Sequence, residues 1–391
     1  MRFSPSIFCE LLKPIDRRAF RRGAEEHQAD RYDKSFDSWQ HLVTLLFAQF
    51  SGASSLRAIE TGFNAQAHLH YHLGCSEVAR TTLSDANARR PAAVFTDVFN
   101  RLAGALGRKA RREAKDVLHL IDATPIMLQG VIAGAASNGR IRGFKLHVRH
   151  DLETNCPLIA EITDATVNDL LPARQHAVEA GVTYVFDKAY CDYWWWQKIN
   201  DAGAFFVTRP KANMNVTVTG KRPLGETRGD GFRVLADQTV SRATAKQARL
   251  KATFSMPLRR ITVRRDGGGT FAIISNDMTR SAVAIASCYK ARWHIELLFR
   301  WLKQNLNITR FMAKNENAVH LQIIAGLIAF VLIRIAQATT RSAIQPKRFA
   351  ELIQSFLHTR RTLAHIEKPP PTNPSRSPWR TNPDQLSFTL S

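Results

Sequence analysis

Between positions 289 and 303 the chain carries Tyr289, Arg292, Glu296, Arg300 and Lys303, one carboxylate among three cations and a phenol. At about 100° per residue on an α-helix, all five fall within roughly 80° of arc. The rest of the circumference is mostly apolar, with Trp293, Ile295, Leu297, Leu298, Phe299, Trp301 and Leu302. A helix apolar on most of its surface is buried, and charge carried into such a place must be offset by a partner or a ligand. The stripe therefore predicts a helix facing a cleft. One acid amid Arg and Lys suits a metal ion together with a polyanion. Taken alone, the stripe also fits an ordinary solvated face, since Arg292–Glu296 and Glu296–Arg300 are i,i+4 pairs of a common kind.

Two further carboxylates shift the balance. Asp122 lies inside the apolar run 117–128, which reads as a buried strand. A carboxylate there has no packing reason and must be satisfied somehow; the plain alternative is a cap on a turn before Pro125. Asp187 ends the β-branched and aromatic run 182–186 and precedes a helix expected near 192–202. Open α/β sheets place their sites at the carboxyl ends of strands, and the plain alternative is a helix N-cap. Three acids from two strands and one helix can converge on divalent ions. Hard ions such as Mg²⁺ take carboxylate oxygen. Two of them, about 4 Å apart, stabilise both the attacking and the leaving oxygen of an in-line phosphoryl displacement.

The spacing Tyr289-x2-Arg292-x3-Glu296-x6-Lys303 resembles the Y-R-E-K signature of bacterial DDE transposases of the insertion-sequence-four family. Asp122 in an Ile-Asp-Ala-Thr context and Asp187 in Val-Phe-Asp-Lys-Ala-Tyr reinforce it. So do the segments 143–147, 315–322, 55–60 and 83–87, and the resemblance runs from about residue 5 to about 340. Ala123 departs from the Ser that many members have after the first Asp. The resemblance implies a ribonuclease-H-like α/β core with Asp122, Asp187 and Glu296 as the metal-binding catalytic triad for two Mg²⁺ or Mn²⁺ ions. It implies that Tyr289, Arg292 and Lys303 hold DNA phosphates. Arg300, on the same stripe, joins them as a DNA-binding candidate.

Composition points to the same kind of partner. Lys plus Arg is 55 against 33 Asp plus Glu, a net charge of +22. Such a surplus attracts a polyanion and predicts salt-dependent binding, but it does not choose among DNA, RNA and an acidic membrane. The apolar run 323–333 is shorter than the roughly 20 residues a bilayer requires, so a core helix and no membrane span is expected. Residues 1–20 show no secretory h-region. Five scattered cysteines without C-x-x-C argue against zinc spacing and for a reducing, cytoplasmic setting. His68, His70 and His72 alternate, a pattern that does not share a helix face.

The expected organisation has a helical N-terminal DNA-binding domain at 1–108 and a first part of the core at 109–210. A β-rich insertion follows at 211–274, then the second part of the core with the signature helix at 275–340, and a C-terminal helix and Pro-rich disordered tail at 341–391. In the N-terminal part, helices are expected at 38–50, 54–65 and 91–106, with one more capped by Ser84. Arg80, Arg89 and Arg90 read as exposed, which suits a helix-turn-helix-like DNA reader; a packing or dimerisation domain is the alternative. The basic segment 101–115 reads as a backbone-tracking or solvated linker. Core strands are expected at 116–122, 141–150, 157–164, 182–187 and 204–209, with helices at 169–180 and 191–202. Phe232, Phe254 and Phe271 in the insertion suit either core packing or stacking on a flipped base. Of Trp194, Trp195 and Trp196, consecutive on a helix, at least one belongs in the core and one on the surface.

These readings converge on a metal-dependent DNA transposase that cuts insertion-sequence ends and joins them to target DNA. The resemblance implies double-stranded terminal repeats and target DNA as partners, a homodimer at synapsis, and work in the cytoplasm at the bacterial nucleoid. The alternatives are a ribonuclease-H-like nuclease without strand transfer and a catalytically inactive DNA-binding repressor.

Overall fold

The computed structural model describes residues 5–368 except 32, 34, 114–116, 128–142, 243–255 and 306–314. Phe254 and the Pro-rich tail lie outside the described residues, as does part of the basic segment 101–115.

Helices fill the first part of the chain: α1 (Ile7–Leu12), α2 (Arg17–Glu26), α3 (Ser38–Ser51), α4 (Leu56–Asn64), α5 (His70–Leu73), α6 (Arg80–Arg89) and α7 (Ala93–Glu113). Their starts follow side-chain caps. Asp16, Asp37 and Ser55 each accept a backbone N–H from the first turn of α2, α3 and α4. Helix α3 stops at Gly52, which adopts φ 73° where a Cβ would be strained. Ser84 falls inside α6 and caps nothing, because that helix begins at Arg80. Arg80 and Arg89 are exposed as expected. Arg90 is not: its side chain is buried and pairs with Asp30 and Asp33 while donating to the Phe36 carbonyl. Local pattern missed this because both acids lie more than fifty residues away in sequence. His70 stacks on Phe63 at 4.2 Å and contacts the Phe63 carbonyl at 3.0 Å, a packing role.

A mixed α/β architecture follows. Strands β1 (Val117–Met127), β2 (Gly143–Asp151) and β3 (Cys156–Asp164) form an antiparallel meander. Then come α8 (Leu170–Gln175), β4 (Val182–Phe186), α9 (Tyr193–Asp201) and β5 (Phe205–Thr208), with β4 parallel to both β1 and β5. The Gly-rich region gives β6 (Val216–Lys221), β7 (Arg228–Gly229), β8 (Phe232–Arg242), β9 (Leu258–Arg265) and β10 (Thr270–Ser275). These strands extend the core sheet, because β10 pairs with β5. The order is β3-β2-β1-β4-β5-β10-β9-β8-β6, with β7 on β8.

The chain then forms α10 (Ala282–Ala291), α11 (Trp293–Asn305), α12 (Glu316–Thr340) and α13 (Pro346–Phe356). Helix α12 is longer than the apolar run inside it suggests, and it is long and apolar enough to cross a membrane, yet 83% of its apolar window is buried. It packs against α3, α6, α7, α13 and β3. Its capped start is tied to the end of α6 by Asn317, which donates to the carbonyls of Asn87 (2.9 Å) and Arg90 (2.8 Å). One apolar cluster on this side of the sheet joins the N-terminal helices, α12 and the inner faces of β1 and β9. A second cluster, on the other face, holds Trp195, Trp196, Phe186, Phe206, Leu258 and Ile274. Trp194 remains 67% exposed.

Candidate active site

Backbone register builds the floor of the site. The parallel pairs of β1 with β4 run from Val117–Val182 to Ile121–Phe186. Asp122 and Asp187 are the next residues on both strands, so they emerge at one level on neighbours about 4.8 Å apart. Strand β1 does not end at Asp122. It continues to Met127 as the partner of β2, because antiparallel pairing persists after the parallel pairing stops. Asp187 directly follows the end of β4, and it accepts the Lys188 N–H at 2.5 Å as the cap of a short 3₁₀ turn. Asp122 accepts the Ala123 N–H at 2.8 Å.

Helices α10 and α11 form the wall. The signature was expected on one continuous helix. Instead the helix breaks at Arg292, where the Arg292 N–H bonds the Tyr289 carbonyl and the Ile295 N–H bonds the Arg292 carbonyl, tighter i→i+3 contacts. Ile295, Leu298, Phe299 and Leu302 are buried, while Trp293 and Leu297 are 49% and 40% exposed. The wall is therefore covered on one side only, not nearly all round as its composition suggested.

The five stripe residues separate accordingly. Arg292 reaches across to the floor, donating to Glu296 Oε1 at 2.6 Å and to Asp122 Oδ2 at 3.4 Å. Lys303 donates to Thr124 Oγ1 at 2.7 Å, two residues beyond Asp122 on β1. Tyr289 is buried beneath the break, 6.0 Å from the Phe271 ring. Arg300 is exposed and lies over the Trp293 ring at 5.7 Å.

Electrostatics mark Asp122 as the strained member. Burial pushes its carboxyl up to about 6. The Ala123 N–H and Arg292 oppose that shift, and the charges of Asp187 and Glu296 add to it. Asp187 and Glu296 thus both act on Asp122. Burial works against the charge on Arg292, but its bond to Glu296 and the nearby Tyr289 and Asp122 raise its pKa overall. Burial lowers that of Lys303 and raises that of Tyr289.

The donor set fits a hard divalent cation. Carboxylate oxygens from three elements repel one another, and a guanidinium already stands between two of them in the place of a positive ion. Among the described residues no three His, Cys, Asp or Glu already stand close enough together to form a metal cage.

Beside the wall lies a pocket of about 590 Å³ lined by Phe232, Arg265, Phe271, Tyr289, Arg292 and Trp293. Arg209 and Arg265 both stack on Phe271, at 5.2 and 5.0 Å. Sequence reading did not single out Thr124, Arg209 or Arg265. Period-2 alternation from Asp122 points to Thr124; nothing local points to the two arginines.

Residues 113–332 match the family described as the transposase DDE domain, and residues 4–76 match a domain of unknown function. A putative transposase of Sinorhizobium fredii is 50% identical over 306 residues, 78% of this chain and 85% of that protein. A probable transposase for an insertion sequence element of Geobacillus stearothermophilus is 29% identical over 247 residues, 61% of this chain and 63% of its own length. A solved piggyBac transposase synaptic complex with hairpin DNA covers 95% of this chain and 83% of its own at 10% identity, with a TM-score of 0.43.

Proposed function

The chain belongs to the DDE transposase family, and from that premise we propose that Asp122, Asp187 and Glu296 are the catalytic acids with which it cuts and joins DNA. It is a DNA transposase, a divalent-metal-dependent enzyme of DNA cleavage and strand transfer. The observation that carries the assignment of Asp122 and Glu296 is the Arg292 guanidinium bridging Glu296 on the wall and Asp122 on the floor, and Asp187 joins them by its register beside Asp122. One cation drawn between two acids of different elements marks the spot where positive charge is needed.

In this reading the three acids would hold two Mg²⁺ or Mn²⁺ ions. When bound, the ions supply the activation of water and the stabilisation of both oxygens in the in-line displacement. Arg292 turns from the carboxylates to the phosphate of the element's end. Lys303, anchored on Thr124, holds the neighbouring phosphate as a point charge. Tyr289 supports Arg292 from below, and Arg300 meets the DNA from the outer side of α11. Water cuts at the end of the element, and the released 3′-hydroxyl attacks a second phosphodiester. No covalent protein intermediate forms.

The finer assignment is to the insertion-sequence-four family, on the spacing of Tyr289, Arg292, Glu296 and Lys303. The strand order β3-β2-β1-β4-β5 supports a ribonuclease-H-like core. The N-terminal helices, with Arg80 and Arg89 outward, serve as the DNA-binding part for terminal repeats. Two copies pair at synapsis, in the cytoplasm at the nucleoid.

The test uses purified protein and Mg²⁺ with a labelled fragment carrying the terminal repeats that flank its gene, beside Glu296→Gln. Cleavage at the repeat boundary and joined products from wild type alone are expected. Equal cutting by Glu296→Gln overturns the assignment.

A further inference from the structure

We propose that the β-rich insertion carries a second DNA-binding face, on the side of the sheet opposite the catalytic acids, which holds a target duplex by its phosphates. Strand register places two cross-strand rows on this face. Arg228 on β7 opposes Arg233 on β8, and Arg233 opposes Arg264 on β9. Lys221 on β6 opposes Gln238 on β8, which opposes Arg260 on β9. Directly opposed residues of antiparallel strands share a face, so five cations project together. The rows are about 14 Å apart along β9 and each spans neighbouring strands about 4.8 Å apart.

Which face this is follows from the core. Arg260 opposes Ile274, which belongs to the apolar cluster around Trp196. The alternate residues Ile261 and Val263 belong to the cluster that contains α11 and Leu120. Asp122 alternates with Ile121, a member of the Trp196 cluster, and so lies on the Leu120 side. The cations and the catalytic acids therefore occupy opposite faces of one sheet, so the cations reach neither the phosphate being cut nor the target phosphate being joined at their own subunit's acids, and they hold the target duplex beyond the joining point.

Charge on this face is not balanced internally. Among the described residues, the carboxylate paired with these cations is Asp266, which holds Arg228 at 2.7 Å. Arg260 donates to the Gln238 amide oxygen (3.0 and 2.7 Å), and Arg264 reaches only the Thr270 hydroxyl. Arg233 and Arg264 stand directly opposite each other and are exposed. Like charges so placed destabilise a sheet, which a polyanion would offset.

The surface between them is short: Thr262, Ala236 and Ala272 share it, leaving room for a duplex backbone to approach. An open sheet face lays no helix into the major groove, and phosphate contacts position a duplex without reading its sequence. That suits a target of any sequence and not an element end, which must be recognised. The identity of the polyanion as DNA rests on the transposase reading above.

The test compares full-length wild type with the triple variant R233Q/R260Q/R264Q. Binding of an unrelated 30-base-pair duplex is followed by anisotropy across KCl concentrations, and a pre-cut element end is joined into an unrelated plasmid. The salt slope should fall by about 2–3 and joining at least ten-fold, with cleavage of the element end within two-fold and the melting temperature unchanged or higher. The charge-keeping variant R233K/R260K/R264K should retain the slope and the joining. An unchanged slope, or cleavage and joining falling together, overturns the proposal. If wild type neither cuts nor joins, the catalytic assignment fails separately and the slope on unrelated DNA still decides this one.

Discussion

Asp122 and Asp187 take their places from a backbone ladder, whereas Glu296 takes its place from side chains. The two aspartates follow the last parallel pair of β1 and β4, so the hydrogen bonds that make the sheet also set their separation. Glu296 stands on a helix that breaks at Arg292, leaves Trp293 and Leu297 outside, and meets the floor through Arg292 and Lys303. Behind it, the loop that launches α10 is held by a buried ion pair: Arg259 binds Asp237 at 2.9 and 2.6 Å and donates to the carbonyls of Asp277 and Arg280. Arg280 continues the link to Thr183 on β4 (2.9 Å). The floor is set by backbone pairing. The wall is set by the apolar packing of Ile295, Leu298, Phe299 and Leu302 and by a few charged contacts to the floor.

The sharpest way to break this comparison is to remove the acid on each side. Glu296→Gln and Asp187→Asn should each lower cleavage on the order of 10³-fold, about 4 kcal/mol of barrier, with unchanged circular dichroism. A wall acid that proved dispensable in a cleavage assay would leave the floor as the whole site.

Next in size is the anchor of the wall. Asp237→Asn leaves Arg259 buried without its counter-charge, and unfolding in urea should show a loss of about 3–5 kcal/mol. A loss under 1 kcal/mol would mean that packing, not this pair, holds the wall.

The floor has its own signature in pH. The Asp122 carboxyl titrates near 6 in the folded chain and at 3.8 in the ordinary state. A raised carboxyl pKa contributes stability that is complete below pH 3.8 and is lost as pH rises through about 6. Asp122→Asn should therefore stabilise the metal-free protein progressively across that window, by up to about 3 kcal/mol at pH 7.5 and much less at pH 4.5. Urea midpoints at the two pH values check it; equal gains at both would place Asp122 outside a buried acid cluster.

Smaller effects test the links. Thr124→Val removes the acceptor for Lys303 and should cost about 1 kcal/mol of stability, with cleavage reduced several-fold. Trp194→Ala, on neither floor nor wall, should change stability by less than about 0.5 kcal/mol; a drop in DNA affinity would give its exposed ring a stacking role.

Much of the site was legible before folding was considered. Asp122 and Asp187 stood out because a carboxylate in or after an apolar run has no packing reason. Glu296 stood out because its neighbours shared one arc. What pattern could not give was contact across sequence. Arg90 read as exposed because Asp30 and Asp33 are distant in the chain. The break at Arg292 left no trace because its residues are good helix formers. The five cations of the insertion were scattered letters until register aligned them.

The sequence by itself determined the chemistry: three acids, their flanking cations, and a basic surplus suited to DNA, all properties of residue type and short spacing. Only the tertiary structure decided which of these meet. Parallel register set Asp122 beside Asp187, the break at Arg292 let its side chain reach the acids while α11 carries Arg300 outward, and sheet alternation placed the basic rows opposite the acids. Short-range pattern fixes the face a residue takes on its own element, but long-range pairing fixes what that face meets.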